Sequence, residues 1–320
     1  MTTAEAKFLL DPYLDWAKRE GLPVHEDAVV DLAAAATGPW PRLGERCQGA
    51  FVHLPGRGDW MTVFLLDLPP GGASAPQRHL FDEVFYVLSG SGRIAVETPD
   101  GGELAHDFGP LSLFAPPLNA RYRIVNGSGQ APARLACVND LRILMNIFHD
   151  EAFFFDNPFA FPERQSASGR GNGRGNMRAG FVSDVSAVAN GPTDEVFRFE
   201  LPLGASSMAA QLCAMPPGSR EAARRADAGL HVLCLEGAGH TLLRIAGHAS
   251  IQRVDWRPGS CFALPEHMLH EHVNSGGQAA RHLALGFGTR RHPIVHARRL
   301  GLQDIAPGQA GADGGRRTMQ

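Results

Sequence analysis

The chain has 320 residues, of which 44% are hydrophobic and 20% charged, and its formal net charge is -3. This length exceeds what one hydrophobic core usually serves and predicts two domains, while the near-neutral charge gives no electrostatic reason to expect nucleic-acid binding. No stretch is apolar over the length that a membrane span requires, and residues 1–7 carry an acid before any apolar run, unlike a signal peptide. The expected location is therefore the cytoplasm, with no membrane partner.

The cysteines argue against both a disulfide framework and a thiolate zinc site, because their number is odd and none forms a C-x-x-C pair. We expect all five to be buried small apolar residues. They are Cys47, Cys137, Cys213, Cys234 and Cys261.

The chain begins with a segment that is typical of a short helical arm. Apolar residues recur at roughly helical intervals over residues 4–19, although Pro12 interrupts the pattern. From Gly49 onwards, short apolar runs alternate with Gly, Pro, Asn and Asp, which is typical of an antiparallel barrel or sandwich. The predicted organisation is an N-terminal arm (1–48), a first barrel (49–160), a linker (161–194), a second barrel (195–298) and a flexible tail (299–320).

The linker and the tail are predicted from composition. Residues 166–176 contain no apolar side chain and are rich in Gly, Arg and Asn, so they cannot pack and should be flexible. The polar, Gly-rich end of the chain has the same character from residue 306.

The two halves repeat one pattern in detail. In each half a Pro-Pro-Gly step leads to an apolar strand that ends in Gly-x-Gly, followed at similar spacing by Gly, Pro and Asn. In the first half the last three are Gly109, Pro117 and Asn126, and in the second half they are Gly259, Pro265 and Asn274. This pattern indicates an internal duplication of one barrel.

These residues resemble the two signature motifs of the cupin superfamily, G(x)5HxH(x)3-4E(x)6G and G(x)5PxG(x)2H(x)3N. The first half matches the first motif at His79, Glu83 and Gly90, and the second half matches the second motif at His270 and its flanking Gly259, Pro265 and Asn274. The resemblance implies an all-β chain with two tandem jelly-roll-like barrels, similar to bicupins of the non-haem oxygenase type. In such barrels three His and one Glu, projecting from adjacent strands, bind a metal ion.

Both halves depart from the family's ligand pattern. In the first half the HxH pair is replaced by Gln77-Arg78-His79, and Tyr122 stands where the last His belongs. The residues that remain in register are Gln77, His79, Glu83 and Tyr122. Alternation along the strand further predicts that Phe85 and Val87 share the interior face with Glu83.

In the second half the HxH position reads Arg224-Arg225-Ala226, and only His270 is retained. His272 lies on the same strand face as His270, whereas His231 would join a three-His site only if a β-bulge turned it inward. An inward-pointing Arg224 would attract a substrate carboxylate and make this an anion pocket.

Three functions remain open. The narrowly preferred one is a metal-dependent dioxygenase-type enzyme acting on a small aromatic or carboxylate molecule, with Fe(II), or else Mn, Ni or Zn, held by the first-half residues or by the His270 group. The second is a metal-free isomerase, cyclase or lyase in which His79 and Tyr122 act as base and acid while Glu83 orients the imidazole. The third is a non-catalytic ligand-binding protein. We also expect a homodimer, with the arm near Trp16 as a candidate contact.

Overall fold

The structure is a computed structural model that describes residues 11–56, 60–155, 157–167, 180–188, 195–201, 203–225, 229–245, 249–266 and 268–288. Residues 168–179 and 189–194 of the predicted linker, and the whole predicted tail, lie outside these ranges. Within the described ranges, no helix has the length and hydropathy that crossing a bilayer would require.

The described chain is mostly β-strand. The strands before residue 190 are β1 (Val24–His25), β2 (Val29–Asp31), β3 (Gly38–Pro39), β4 (Gln48–Val52), β5 (Thr62–Leu68), β6 (Glu83–Ser89), β7 (Gly92–Glu97), β8 (Glu103–Phe108), β9 (Leu113–Phe114), β10 (Tyr122–Asn126), β11 (Ala133–Asn139) and β12 (Phe181–Val182). Those after it are β13 (Phe197–Leu201), β14 (Met208–Met215), β15 (Arg224–Arg225), β16 (Leu230–Glu236), β17 (Gly239–Ile245), β18 (Gln252–Trp256), β19 (Ser260–Leu264), β20 (Met268–Asn274) and β21 (Ala280–Phe287). The helices are α1 (Pro12–Glu20), α2 (Leu141–Phe148), α3 (Glu151–Phe154), α4 (Pro162–Ala167) and α5 (Val185–Val188).

Each half of the chain folds into a unit of two facing sheets. The first unit has an eight-stranded sheet in the order β1-β4-β5-β11-β6-β9-β12, with β3 added to β4, and a three-stranded sheet in the order β10-β7-β8. The second unit has a six-stranded sheet in the order β13-β14-β21-β16-β19-β2 and a four-stranded sheet in the order β15-β20-β17-β18. The predicted all-β fold class is therefore confirmed, with each predicted barrel formed by two sheets.

The units repeat one topology, as the internal duplication predicts. The central order β4-β5-β11-β6-β9 corresponds strand for strand to β13-β14-β21-β16-β19. Gly90 and Gly237 adopt φ values of 83° and 74° after equivalent strands, and an added Cβ would lie 2.6 Å from the Cα of Ala133 and Ala280 respectively. Only glycine fits both the left-handed backbone and the close approach at these positions.

Strand β6 shows how alternate residues divide between two cores. Phe85 and Val87 belong to the apolar cluster inside the first unit, on the face they share with Glu83, as alternation predicts. Val84 and Tyr86 point the other way, into a second cluster that also contains residues of the second unit. The strand is buried on both faces because the two large sheets pack against each other.

The interface between the units combines this apolar packing with a buried polar contact. Asp82, just before β6, accepts hydrogen bonds from the backbone N–H of Ser207, at 3.2 Å, and from its hydroxyl. The neighbouring Asp140 carboxyl accepts from the Asp82 backbone N–H at 2.9 Å, and burial together with the Asp82 charge raises the pKa of Asp140 well above its usual range.

Short segments from outside the predicted barrels complete the sheets. Within the predicted arm, β2 pairs with β19 of the second unit, while β1 and β3 pair with β4 of the first. Within the predicted linker, β12 pairs with β9 of the first unit. The arm and the described part of the linker are thus integral to the fold, because edge strands bury their backbone hydrogen-bonding groups by adding another strand.

The described part of the helical arm packs inside the first unit. Helix α1 begins at Pro12, where a missing N–H is no penalty, and the Asp11 side chain caps it by accepting from Leu14 N–H at 2.9 Å. Trp16 is 1% exposed and stacks on Phe155 with ring centroids 5.5 Å apart. The Trp16 side chain therefore belongs to the core of its own unit, and a homodimer with the arm near Trp16 as a contact stays a prediction.

All five cysteines are buried and unbridged, as predicted.

Candidate functional site

A pocket of about 350 Å³ lies inside the first unit, where β6, β10 and β11 meet the loop before β6. Its polar side chains come from that loop, from the first residues of two strands and, for Arg42, from the segment after β3. The lining residues are Trp16, Trp40, Arg42, Leu43, Phe64, Leu66, Gln77, His79, Phe81, Glu83, Tyr122, Cys137 and Phe155.

Three predicted site residues converge in this pocket. His79 Nδ1 lies 2.9 Å from Glu83 Oε2, and the Tyr122 hydroxyl donates to the same carboxylate oxygen at 2.9 Å. The hydroxyl is also 3.5 Å from His79 Nδ1. Residues separated by some forty positions meet because Glu83 opens β6 and Tyr122 opens β10, at the same end of the unit.

The dyad of His79 and Glu83 defines one tautomer of the imidazole. A carboxylate at Nδ1 favours the form in which Nδ1 carries the proton and Nε2 keeps its lone pair. Within the described ranges, no hydrogen bond occupies the Nε2 atom of His79. This arrangement leaves a basic nitrogen for a molecule in the pocket.

Two proton-bearing groups next to Glu83 stay neutral. Burial raises the pKa of Tyr122 well above its usual value, and the adjacent Glu83 charge raises it further. The pKa of the Cys137 thiol is raised for the same two reasons, with its sulfur 3.7 Å from Glu83 Oε1. Both groups therefore act as weak donors to the carboxylate rather than as anions.

Aromatic rings surround the dyad. The imidazole of His79 stacks on Phe81 with centroids 4.7 Å apart and meets Phe155 edge-on at 5.5 Å. The guanidinium of Arg42 lies 4.3 Å from the centre of the Phe155 ring and is bonded to Glu20 and Glu151, each at 2.7 Å. The positive charge of Arg42 is thus already paired with two carboxylates.

The side-chain nitrogen of Gln77 donates hydrogen bonds to the backbone. Its Nε2 donates to the carbonyl oxygens of Ala75, Arg42 and Leu43 at 3.0, 3.2 and 3.4 Å. The amide therefore ties the loop before β6 to the segment after β3. These bonds engage only the amide nitrogen, so a role of the Gln77 amide oxygen as a metal ligand stays a prediction.

Three buried imidazoles form a cluster in the second unit, and one of them was not among the predicted residues. His270 and His272 on β20 have ring centroids 5.5 Å apart, and His272 lies 4.9 Å from His282 on β21. The Nδ1 of His272 is 2.7 Å from the Thr241 hydroxyl. Both ring nitrogens of His270 and of His282 are buried and lack a hydrogen-bond partner among the described residues.

Burial keeps these imidazoles neutral. Burial, together with the Arg198 cation, lowers the pKa of His270 to about 4 and that of His282 to about 3. The pKa of His272 is lowered well below 6.5 by burial and by the two neighbouring histidines.

His231 does not join this group. Its neighbours Val232 and Cys234 face the interior of the second unit, whereas Leu233 faces the interface between the units. Alternation then puts His231 on the interface side, and the β16–β19 register runs without a bulge from Leu230 to Leu233. The predicted three-His site of His231, His270 and His272 is therefore wrong, and His282 takes the third place in the cluster.

Arg224 lies opposite His270 on β20, as Gln77 lies opposite Tyr122 in the first unit. Its Nε is 2.8 Å from Glu221 Oε1, and that carboxylate also pairs with Arg198. The guanidinium predicted to bind a substrate carboxylate is thus paired with a carboxylate of the protein itself.

A resident divalent ion does not fit the donor groups of the first pocket. Such an ion normally needs at least three protein ligands. His79 and Glu83 contact each other, the Gln77 amide is bonded to the backbone, and Tyr122 keeps its proton. In the part of the chain that the structure describes, no group of three or more His, Cys, Asp or Glu is arranged to hold a metal ion.

Comparison with solved structures finds the same fold in oxalate decarboxylase, a bicupin. A structure from a study of its substrate binding mode and reaction specificity has a TM-score of 0.58, covers 87% of this chain and 81% of its own, and is 13% identical. A structure from a study of the Mn(II) centres of the Bacillus subtilis enzyme has a TM-score of 0.56 at the same coverage and identity. No protein-family model and no curated protein matches the sequence. This chain therefore has a bicupin-like fold, as the motif resemblance predicts.

Proposed function

We propose that this chain is an enzyme that moves a proton on a small, neutral aromatic substrate bound in the first pocket, as an isomerase, cyclase or lyase. The observation that carries the proposal is the 2.9 Å contact between His79 Nδ1 and Glu83 Oε2, with the Tyr122 hydroxyl on the same oxygen. A histidine oriented by a carboxylate is a common general base.

In the proposed reaction, Nε2 of His79 takes a proton from a carbon or hydroxyl group of the substrate. The imidazolium that forms is stabilised by the Glu83 carboxylate at Nδ1. His79 then returns the proton to another substrate atom, which completes an isomerisation or cyclisation, or to a leaving group, which completes an elimination. No oxidant or reductant is consumed.

Tyr122 has a positioning role in this scheme. Its raised pKa keeps the hydroxyl protonated, and that proton is donated to Glu83. The bond holds the carboxylate against the imidazole, which preserves the tautomer that leaves Nε2 basic.

The pocket walls support the aromatic rather than the carboxylate class of substrate. Trp40, Phe64, Phe81 and Phe155 supply flat apolar surface. The Arg42 cation is already paired with two glutamates, so an anionic substrate would find no unmatched positive charge there.

A divalent-metal oxidoreductase is the second candidate, because one structural neighbour is described by its Mn(II) centres. The ion would be Mn(II) or the Fe(II) that the sequence resemblance favours. The two candidate functions differ in whether a chelator of divalent metal ions removes the activity.

Solvent hydrogen exchange tests the proposal. A panel of small aromatic ketones and enones is incubated in D₂O with the protein, and loss of C–H signals is followed by proton NMR. We expect exchange with the natural chain and a loss of about a hundredfold or more in His79→Gln, which keeps a polar side chain but no base.

Chelation separates the candidates in the same assay. Protein treated with EDTA should keep its exchange activity. Equal rates for the natural chain and His79→Gln would contradict the proposal, and activity that EDTA removes and Mn(II) or Fe(II) restores would favour the metal enzyme.

A further inference from the structure

A second pocket, of about 460 Å³, opens at the edge of the first unit. Strand β8 is the last strand of the three-stranded sheet, and β12 is the last strand of the large sheet that faces it. Backbone pairing does not join these two edges in the described part of the chain. The space between them has apolar walls, formed mainly by Ile94, Val96, Leu104, Phe114 and Phe181.

His106 brings a polar group between these apolar walls, in addition to Glu97 and Thr98, which also line the pocket. His106 lies on the inward face of β8 with Leu104 and Phe108, and its ring stacks on Phe181 with centroids 4.7 Å apart and planes inclined by 8°. Its Nε2 is buried and has no hydrogen-bond partner among the described residues. A buried polar atom without a partner between apolar walls requires a ligand or a water molecule.

The imidazole is neutral in this environment. Burial lowers the pKa of His106, and the neighbouring Asp107 only partly opposes the shift. At the rim, Glu97 is exposed and lies 3.9 Å from Arg121. A neutral imidazole and a rim carboxylate disfavour an anionic ligand.

A wall of stacked rings separates this pocket from the candidate active site. Phe114 lines the second pocket and stacks on Phe85 at 5.1 Å, and Phe85 meets Tyr122 edge-on at 5.9 Å. Neither His79 nor Glu83 lines the second pocket. The two spaces are therefore distinct sites within one unit.

We propose that the second pocket is a binding site for a small neutral aromatic molecule that carries one hydroxyl or amino group. The ring would lie against Phe114 and Phe181, and the polar group would hydrogen-bond to His106 Nε2. This inference does not depend on the proposed function.

The probes that test it are p-cresol and p-xylene, which have the same shape and differ by a hydroxyl in place of a methyl group. Binding is measured by calorimetry with the full chain. We expect p-cresol to bind about tenfold more tightly than p-xylene, because only p-cresol completes the bond to His106.

Three variants locate the site. His106→Phe keeps a ring on Phe181 and should remove the preference for p-cresol while leaving p-xylene binding within about twofold. Leu104→Trp, on the partly exposed edge strand, should fill the second pocket and abolish binding of both probes at this site, so that binding in the first pocket is measured separately. His79→Gln, in the other pocket, should change neither affinity by more than about twofold.

Circular dichroism checks that each variant is folded, and a crystal of the natural chain soaked in p-cresol provides an independent readout. Density for the ring between Phe114 and Phe181 supports the site. Equal affinity for the two probes, or p-cresol binding that His79→Gln weakens and Leu104→Trp leaves intact, would overturn it.

Discussion

Acid should destabilise the second unit through its three buried histidines. His270, His272 and His282 are neutral in the folded chain because burial lowers their pKa values, whereas in the unfolded chain each returns to about 6.5. A histidine whose pKa is lower in the folded state than in the unfolded state binds protons mainly when the chain is unfolded. The stability that depends on its neutrality is therefore complete above about pH 6.5 and is lost as the pH falls.

The size of the stability loss follows from the folded pKa values of His270 and His282. With folded pKa values of about 4 for His270 and about 3 for His282, both stay neutral at pH 5 in the folded state. One pH unit below 6.5 is worth about 1.36 kcal/mol per group, so each histidine removes about 2 kcal/mol between pH 8 and pH 5. Together the two remove about 4 kcal/mol, and His272 acts in the same direction.

Urea unfolding at pH 8 and pH 5, followed by circular dichroism, measures this loss. The test variant is His282→Leu, because alternation and strand pairing make Leu135 the equivalent residue in the first unit. We expect this variant to lose about 2 kcal/mol less than the natural chain between the two pH values. The comparison is made within each variant, so any effect of the substitution at pH 8 cancels.

His149→Asn is the matched control. His149 is exposed with φ 58°, a backbone conformation that Asn tolerates, and the substitution should leave the pH dependence unchanged. The reasoning fails if the natural chain is equally stable at pH 5 and pH 8, or if His282→Leu keeps the full loss.

Four further substitutions test the packing around the sites. Asn126→Ala and Asn274→Ala each remove an amide that donates to three backbone carbonyls at equivalent turns, and urea unfolding should show a loss of about 2–3 kcal/mol in each; a loss in only one would argue against their equivalence. Gln77→Leu should lower the free energy of unfolding by about 1–3 kcal/mol yet leave the His79 tautomer unchanged in NMR spectra, and a changed tautomer would mean that Gln77 acts on the imidazole. Ser207→Ala removes the buried hydrogen bond from the Ser207 hydroxyl to Asp82 and should widen or split the calorimetric unfolding transition, whereas an unchanged transition would show that the apolar interface and the backbone N–H bond suffice to couple the units.

The sequence predicts the fold well where residues act locally. The alternation in β6 puts Phe85 and Val87 on the face of Glu83, and the glycines that follow β6 and β16 mark the same tight turn in both halves. His79, Glu83 and Tyr122 could be placed together because motif spacing fixes which strand ends carry them.

Other site features depend on contacts that the sequence does not encode locally. His282 has no spacing that relates it to His270, and it joins the cluster only because β21 pairs with β16 and turns His282 inward while Leu283 and Leu285 face the other unit. Arg42 reaches the first pocket from the N-terminal segment. Gln77 matches a ligand position by count, but the hydrogen bonds from its amide nitrogen to backbone carbonyls depend on the tertiary fold.

The tautomer of His79 is the most direct test of the central claim that a carboxylate-oriented imidazole occupies the first pocket. Long-range ¹H–¹⁵N NMR spectra of the labelled chain identify it, with assignment by the signal that disappears in His79→Gln. We predict a protonated Nδ1 and an unprotonated Nε2 at pH 7, unchanged by EDTA, and a mixture of tautomers in Glu83→Gln. A proton on Nε2 in the natural chain, or a His79 signal that changes when EDTA removes a bound ion, would contradict the account.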